Sequence, residues 1–376
     1  MKEDFVLKKT EAVLTTCLAN HLAFYAYKHP NSQHIEIGIQ KDMDLLKYTD
    51  FADLDGLSGF VMAPFVSTEQ HSSWFIRDDF NFSSFGDDEI ELLSQYKNTI
   101  EEKEDKTVTG SKQDEYFTQI AAFLDELKAG SLEKAILSRI QLEKGISEVK
   151  RAALFLQLCQ CYPHAFVSFV SLPGICSWMG ASPELLFKSQ NNNSETVALA
   201  GTLPINKDHI QETEWGNKEI EEQAFVSDYI ERVFRDNAIC DYEKIGPYTV
   251  QAGQIVHLKT DFRTDANLSF KNKARIISAL HPTPAVCGLP KTKALDLIKR
   301  VESHDREYYA GFWGPVHANG DCALYVNLRT MKLSENHLSL FVGGGITADS
   351  IPQKEWEETQ HKAQTLLSVI NQFVSS

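Results

Sequence analysis

The chain is predicted to form a single large α+β domain, with mostly antiparallel β-sheets layered in the core and helices packed outside. Strand-like segments outnumber helical ones and tend to come in adjacent pairs, which favours antiparallel sheets over a doubly wound parallel sheet. The 376 residues are 43% hydrophobic, ample material for a large core. No internal repeat divides them, so residues 1–376 read as one unit with a divergent portion, 1–110, ahead of a portion, 115–376, that carries the motifs.

Each element follows from its pattern. His34-Ile-Glu-Ile-Gly-Ile-Gln alternates with period two and reads as a strand; Phe60-Val-Met-Ala-Pro-Phe reads as a second, short one. Glu101 to Glu115 is the one long polar stretch and reads as an exposed loop. Tyr116 to Ala129 places Ile120, Phe123, Leu124 and Leu127 at helical spacing, with Gly130 as the stop. Lys134-Ala-Ile-Leu-Ser-Arg-Ile-Gln-Leu-Glu is a strand and Arg151 to Cys161 a helix. Strands follow at Ala165–Leu172, Ser177–Ala181, Leu185–Lys188 and Thr196–Ala200, the last two split by the turn-forming Asn191-Asn-Asn-Ser. A helix over Glu219–Asp236 presents Ile220, Phe225, Tyr229, Ile230 and Val233. Strands recur at Tyr248–Gln251, Ile255–Phe262, Ala310–Gly314, Cys322–Arg329 and His337–Gly343, and a closing helix runs from about Pro352 to Phe373.

Composition excludes several function classes. With 37 basic and 52 acidic residues the net charge is −15, a surface that repels nucleic acid and anionic lipid. No apolar run reaches about 18 residues, so no membrane span is expected. The first residues, Met1-Lys-Glu-Asp-Phe-Val-Leu-Lys-Lys-Thr, lack an apolar signal core. The seven cysteines form no Cys-x-x-Cys pair and several lie in apolar runs, as reduced core thiols of a cytoplasmic protein would.

Two helical stretches each carry carboxylates three residues apart: Glu219 with Glu222, and Glu355 with Glu358. Positions i and i+3 share a helix face. Two such faces meeting would make an oxygen-only pocket of the kind Mg²⁺ prefers, with retained waters and a bridging substrate anion. On spacing alone, two solvated acidic faces are the commoner origin of such a pattern.

From Lys134 onward the motifs resemble those of the chorismate-utilising enzymes, and among these the isochorismate synthases. The matching segments are Lys134-Ala-Ile-Leu-Ser-Arg139, Ala181-Ser-Pro-Glu-Leu-Leu-Phe187, Ala198-Leu-Ala-Gly-Thr202, Lys218-Glu-Ile-Glu-Glu-Gln223 and His281-Pro-Thr-Pro-Ala-Val-Cys-Gly288. Asp305-Arg-Glu-Tyr-Tyr-Ala-Gly311, Val326-Asn-Leu-Arg329, Gly343-Gly-Gly-Ile346 and Glu355-Trp-Glu-Glu-Thr-Gln-His-Lys362 follow in the family's order. The resemblance implies the family's fold and a Mg²⁺-dependent conversion of chorismate to isochorismate: water adds at C2 while the C4 hydroxyl leaves. It implies Lys134 as general base and Glu184 as general acid, the lysine neutral and the glutamate protonated. Glu222 and Glu358 carry over as metal ligands, with Glu219 and Glu355 as water-mediated partners. The family usually has Asp where Glu219 stands and His where Gln223 stands; neither departure replaces a direct ligand. Glu221 is expected to face solvent.

Substrate contacts are expected from Gly201, Thr202, His281, Tyr309 and Arg329, the last ending its strand with a planar fork suited to a carboxylate. Gly344 and Gly345 are read as a turn offering N–H groups to an anion. Lys362 reads equally as a substrate contact and as an i,i+4 partner of Glu358. Anthranilate synthases of this family carry glutamine at the Lys134 position, and aminodeoxychorismate synthases a lysine where Ala200 stands, so both are disfavoured. Salicylate synthases share Lys134 and Glu184 and remain an alternative; a silent chorismate-binding module is another. No glutamine amidotransferase subunit is expected, and relatives are often monomers.

Overall fold

A computed structural model describes residues 2–82, 87–100, 108–205, 213–252 and 255–374. In chain order the elements are α1 (Lys2–Ala19), β1 (Ala23–Lys28), β2 (Ile35–Gln40), β3 (Leu46–Tyr48), a 3-10 turn (Phe51–Leu54), β4 (Gly59–Ala63), β5 (Ser73–Arg77), β6 (Phe80–Phe82), α2 (Asp87–Ser94), α3 (Gln113–Lys128), β7 (Lys134–Lys144), α4 (Glu148–Cys161), β8 (Phe166–Leu172) and β9 (Cys176–Ser182). They continue with β10 (Leu185–Gln190), β11 (Asn193–Pro204), α5 (Asn217–Asp236), β12 (Glu243–Ala252), β13 (Ile255–Thr264), α6 (Phe270–Leu280), β14 (Gly288–Leu289), α7 (Lys291–Val301), β15 (Phe312–Val316), β16 (Cys322–Val326), β17 (Thr330–Leu333), β18 (His337–Ile346) and α8 (Pro352–Val374).

The strands form two nine-stranded sheets, ordered β14-β7-β18-β17-β9-β8-β1-β2-β6 and β12-β13-β11-β10-β16-β15-β4-β5-β3. Every neighbouring pair is antiparallel, as expected from the paired strand signals. The divergent first part of the chain completes both sheets: β1, β2 and β6 end one, and β4, β5 and β3 end the other. One apolar core lies between the sheets and under α5 and α6; a second lies between the first sheet and α1, α4 and α8. Aromatic pairs join the facing sheets, with Phe166 of β8 stacked on Tyr325 of β16 at 4.0 Å and Tyr25 of β1 on Phe60 of β4 at 4.7 Å. No helix among the described residues is long and apolar enough to cross a membrane.

Several boundaries differ from the sequence reading. The strand expected over Cys322–Arg329 stops at Val326, and Arg329 takes a positive φ of 47° in the turn before β17. The strand expected from Ala310 starts at Phe312, because Ala310 itself has φ 61°. Gly343 to Gly345 form no turn: they lie inside β18, paired with Ser138, Leu137 and Ile136 of β7. Glycine in a strand sequence mimics a turn signal, but here it permits a close approach. Helices α6 and α7 fall where the sequence showed no element; α6 is capped by Ser269, whose hydroxyl accepts the Asn272 N–H. Of the polar stretch Glu101 to Glu115, residues 101–107 lie outside the described residues, and α3 begins at Gln113.

Candidate active site

At one end of the two sheets, β7 and β18 face β11 and β13 across a cavity flanked by α5 and α8. Glu184, Gly201, Thr202, Glu222, Tyr309, Arg329, Gly344, Gly345 and Lys362 all line it. Its apolar wall comes from Ile136, Leu199, Ala285, Val286, Leu328 and Phe341. A larger open groove elsewhere between the sheets, near His29 and Tyr325, is lined by none of the residues expected to act as acid, base or metal ligand.

The helices deliver carboxylates through their buried stripes. On α5, Glu222 heads the stripe that continues as Val226, Ile230 and Val233, so packing of the apolar residues turns its side chain inward. On α8, Glu355 and Thr359 begin a stripe that becomes apolar at Ala363, Leu366 and Ile370. A buried stripe that opens with a carboxylate and a hydroxyl is the local mark of a site. Glu221 is exposed, as expected.

Lys134 is wholly buried at the start of β7, and its Nζ donates to Glu222 Oε1 at 2.7 Å. Burial alone would raise the Glu222 carboxyl, but the Lys134 ammonium outweighs it and holds the group below its usual value. Lys218 pairs with Glu355 at 2.8 Å, and Lys362 with Glu358 at 2.8 Å while also donating to the Gly343 carbonyl at 2.9 Å. Lys362 thus pairs along its helix and also lines the cavity. Glu355 is pushed above the usual carboxylate value by burial and by the neighbouring Glu358.

The glycine strand lets these groups converge. A Cβ at position 345 would sit 2.9 Å from Glu222 Oε1 and 2.9 Å from Lys134 Cε, so any larger residue displaces the pair. At position 344 it would sit 3.5 Å from Glu355 Oε2 and 3.9 Å from Glu358 Oε1. The N–H anion turn expected here is replaced by a laddered strand whose smooth surface makes room. β17 pairs with β18 only as far as Thr330 opposite Phe341, so beyond that point β18 is laddered by β7 alone.

The donor set suits a hard divalent cation. Glu222, Glu355 and Glu358 present oxygens toward adjacent glycines, and Glu355 Oε2 is buried with no hydrogen-bond partner among the described residues. Among those residues no three His, Cys, Asp or Glu side chains close into a ready-made shell; each carboxylate is drawn to a lysine instead. Glu219 does not join them. Its carboxylate folds back toward Gly216 at the start of its own helix, 2.7 Å from where a Cβ would stand there.

Glu184 sits between β9 and β10, inside the match Ala181-Ser-Pro-Glu-Leu-Leu-Phe187. It is buried, and its carboxyl is pushed up to about 7 by that burial, against the pull of a Thr283 hydroxyl 3.2 Å away and of Lys134 and Lys362. A carboxyl in that range exists substantially as the acid near neutral pH.

The remaining wall is cationic and aromatic. Arg329 enters from its turn, and one of its NH₂ groups donates to His257 Nε2 at 2.7 Å. His257, on β13, is a residue the sequence reading passed over; its one signal is a polar ring in the otherwise apolar run Ile255-Val-His-Leu. Tyr309 stacks on Phe341 at 5.5 Å. Behind the wall Arg306 donates to the carbonyls of Ile136 and Val286 at 2.7 and 2.8 Å and pairs with buried Glu302, fixing two cavity segments to each other. His281 lies outside the cavity. Its Nε2 meets the Pro64 carbonyl at 3.1 Å, its ring packs on Phe312, and burial pushes it down to about 4, so it is a neutral structural histidine here.

The family model described as chorismate binding enzyme matches residues 75–371. The chain is 28% identical over 269 residues to the vibriobactin-specific isochorismate synthase of Vibrio cholerae, covering 70% of this chain and 68% of that protein. It is 31% identical over 260 residues to isochorismate synthase EntC of Escherichia coli, covering 67% of this chain and 66% of that protein. The fold superposes on MenF, the menaquinone-specific isochorismate synthase of Escherichia coli, with TM-score 0.75 at 20% identity over 96% of this chain and 90% of that one.

Proposed function

The chain belongs to the chorismate binding enzyme family, and from that premise we propose that it is an isochorismate synthase. The observation that carries this reading is a buried carboxyl, Glu184, pushed up to about 7 in a cavity also lined by an arginine fork and by Glu222, the partner of the buried Lys134. In the proposed reaction Lys134 takes a proton from the water that bonds to C2. The ring double bonds shift, and Glu184 gives its proton to the C4 oxygen, which departs as water. One water enters and one leaves, so the net change is an isomerisation. Lys134 donates to Glu222 in this structure, so to accept that proton it must first give up the one it carries and act as the free amine.

Arg329 and Lys362 are proposed to hold substrate carboxylates, with Gly201, Thr202 and Tyr309 shaping the ring's position. Glu222, Glu355 and Glu358 would hold Mg²⁺, which when bound supplies positive charge for the ring carboxylate. Glu219 is proposed to act at most through water.

The test is to incubate the protein with chorismate and Mg²⁺ and resolve the products. Isochorismate alone is expected. Salicylate with pyruvate would move the protein to the salicylate synthases, and binding without turnover would make it a silent module. Lys134→Ala and Glu184→Gln are each expected to lower kcat by about 10²–10⁴-fold with the fold retained. If Glu184 is the acid, kcat/KM falls as pH rises through about 7, because the acid form is lost there. Wild-type turnover in either variant would sink the assigned roles.

A further inference from the structure

We propose that His257 is a positioning residue that locks Arg329 against the Gly201–Thr202 bulge as a neutral, single-tautomer imidazole. This rests on the reading of Arg329 as a carboxylate contact in the cavity.

The hydrogen bonds determine the tautomer. A guanidinium can only donate, so His257 Nε2, 2.7 Å from an Arg329 NH₂ group, must offer its lone pair. The neutral ring then carries its proton on Nδ1. That nitrogen lies 2.9 Å from the Gly201 carbonyl and 3.2 Å from Thr202 Oγ1, both able to accept. Burial and the nearby Arg329 and Lys362 charges hold the ring well below its ordinary pKa, in agreement with that form.

The position explains why a histidine serves here. The register of β11 against β13 shifts between Ala200 and Thr202, and Gly201 at φ 70° forms that irregularity. A shifted register turns the Gly201 carbonyl out of regular pairing, and His257 on the facing strand satisfies it. The opposite edge of the same ring grips the guanidinium. One flat side chain thus ties a cavity wall to a charged group that enters from a separate turn. A neutral acceptor also orients the guanidinium without cancelling its charge, as an aspartate in the same place would do.

The test combines variants of the full chain with a measurement on the wild type. His257→Leu is expected to raise both the KM and the calorimetric Kd for chorismate by about ten- to hundredfold, the size of one hydrogen bond to a charged group, with kcat changed less than about threefold. His257→Gln offers an amide oxygen to Arg329 and an N–H to Gly201 and should restore most of the affinity. His257→Asp should keep the acceptor yet bind as weakly as the leucine variant. In a cycle with Arg329→Met, the leucine substitution should add little, because its effect runs through the arginine. Full additivity, or a fall in kcat with KM unchanged, overturns the proposal. Nitrogen-15 NMR of labelled histidines in the wild type should show His257 as the Nδ1–H form, and an Nε2–H form overturns it. That spectrum needs no turnover, so it stands apart from any failure of the isochorismate reading.

Discussion

Helices α5 and α8 carry the same local signal, two glutamates three residues apart near the helix start, yet the cavity uses them differently. On α5 the second glutamate, Glu222, turns in to meet the buried Lys134, and the first, Glu219, folds back toward Gly216. On α8 the first, Glu355, is the deeper at 1% exposure, and the second, Glu358, pairs with Lys362 at the cavity edge. Shared spacing therefore names a face of each helix but not its inner member. That choice is made by where the apolar stripe begins and by which lysine stands opposite.

Breaking the α5 side should have the largest effect. Glu222→Ala leaves the Lys134 ammonium buried without its partner, and the loss of stability should be about 3–5 kcal/mol at neutral pH, together with loss of turnover. The folded-state value of Glu222 lies below its unfolded one, so its contribution is present above the usual carboxylate pKa and is lost as pH falls through the depressed value. Denaturant unfolding should accordingly show the gap to wild type closing in acid. A gap that stays constant with pH would mean that the pair is not its source.

The α8 side sharpens the contrast. Glu355→Gln removes a carboxyl that burial disfavours in its charged form, so stability should change by less than about 1 kcal/mol despite its depth. Mg²⁺ affinity, read by calorimetry, should fall about 10–100-fold. Unchanged affinity would remove Glu355 from the metal set. The smallest effect belongs to Glu219→Gln: kcat/KM within about twofold and stability within about 0.5 kcal/mol of wild type. A loss as large as that of Glu222→Ala would show that the two members of the α5 pair are equivalent after all.

Much of this site was legible in the residues. Lys134, Glu184, Glu222, Arg329 and Lys362 all stand in motifs visible in the sequence, and each lies at or beside one cavity. What the residues hid has identifiable causes. The Gly343–Gly345 run looks like a turn because glycine frees the backbone, whereas β18 needs it to let Glu222 and Lys134 approach. His257 carries little local mark because its meaning lies in a guanidinium 72 residues away in sequence. His281 sits in a matching motif, but its Nε2 is taken by the Pro64 carbonyl, 217 residues earlier, outside the cavity lining.

The order of amino acids by itself determined the strand and helix periodicities, the antiparallel α+β class and the chemistry available, because hydrophobic spacing and side-chain type are local properties. Which glutamate of each pair turns inward, which histidine faces the cavity, and how far Glu184 rises were decided only by the tertiary structure. Burial, the charge standing opposite and hydrogen-bond geometry arise when strands distant in sequence are brought within a few ångströms, and no local window of the chain contains them.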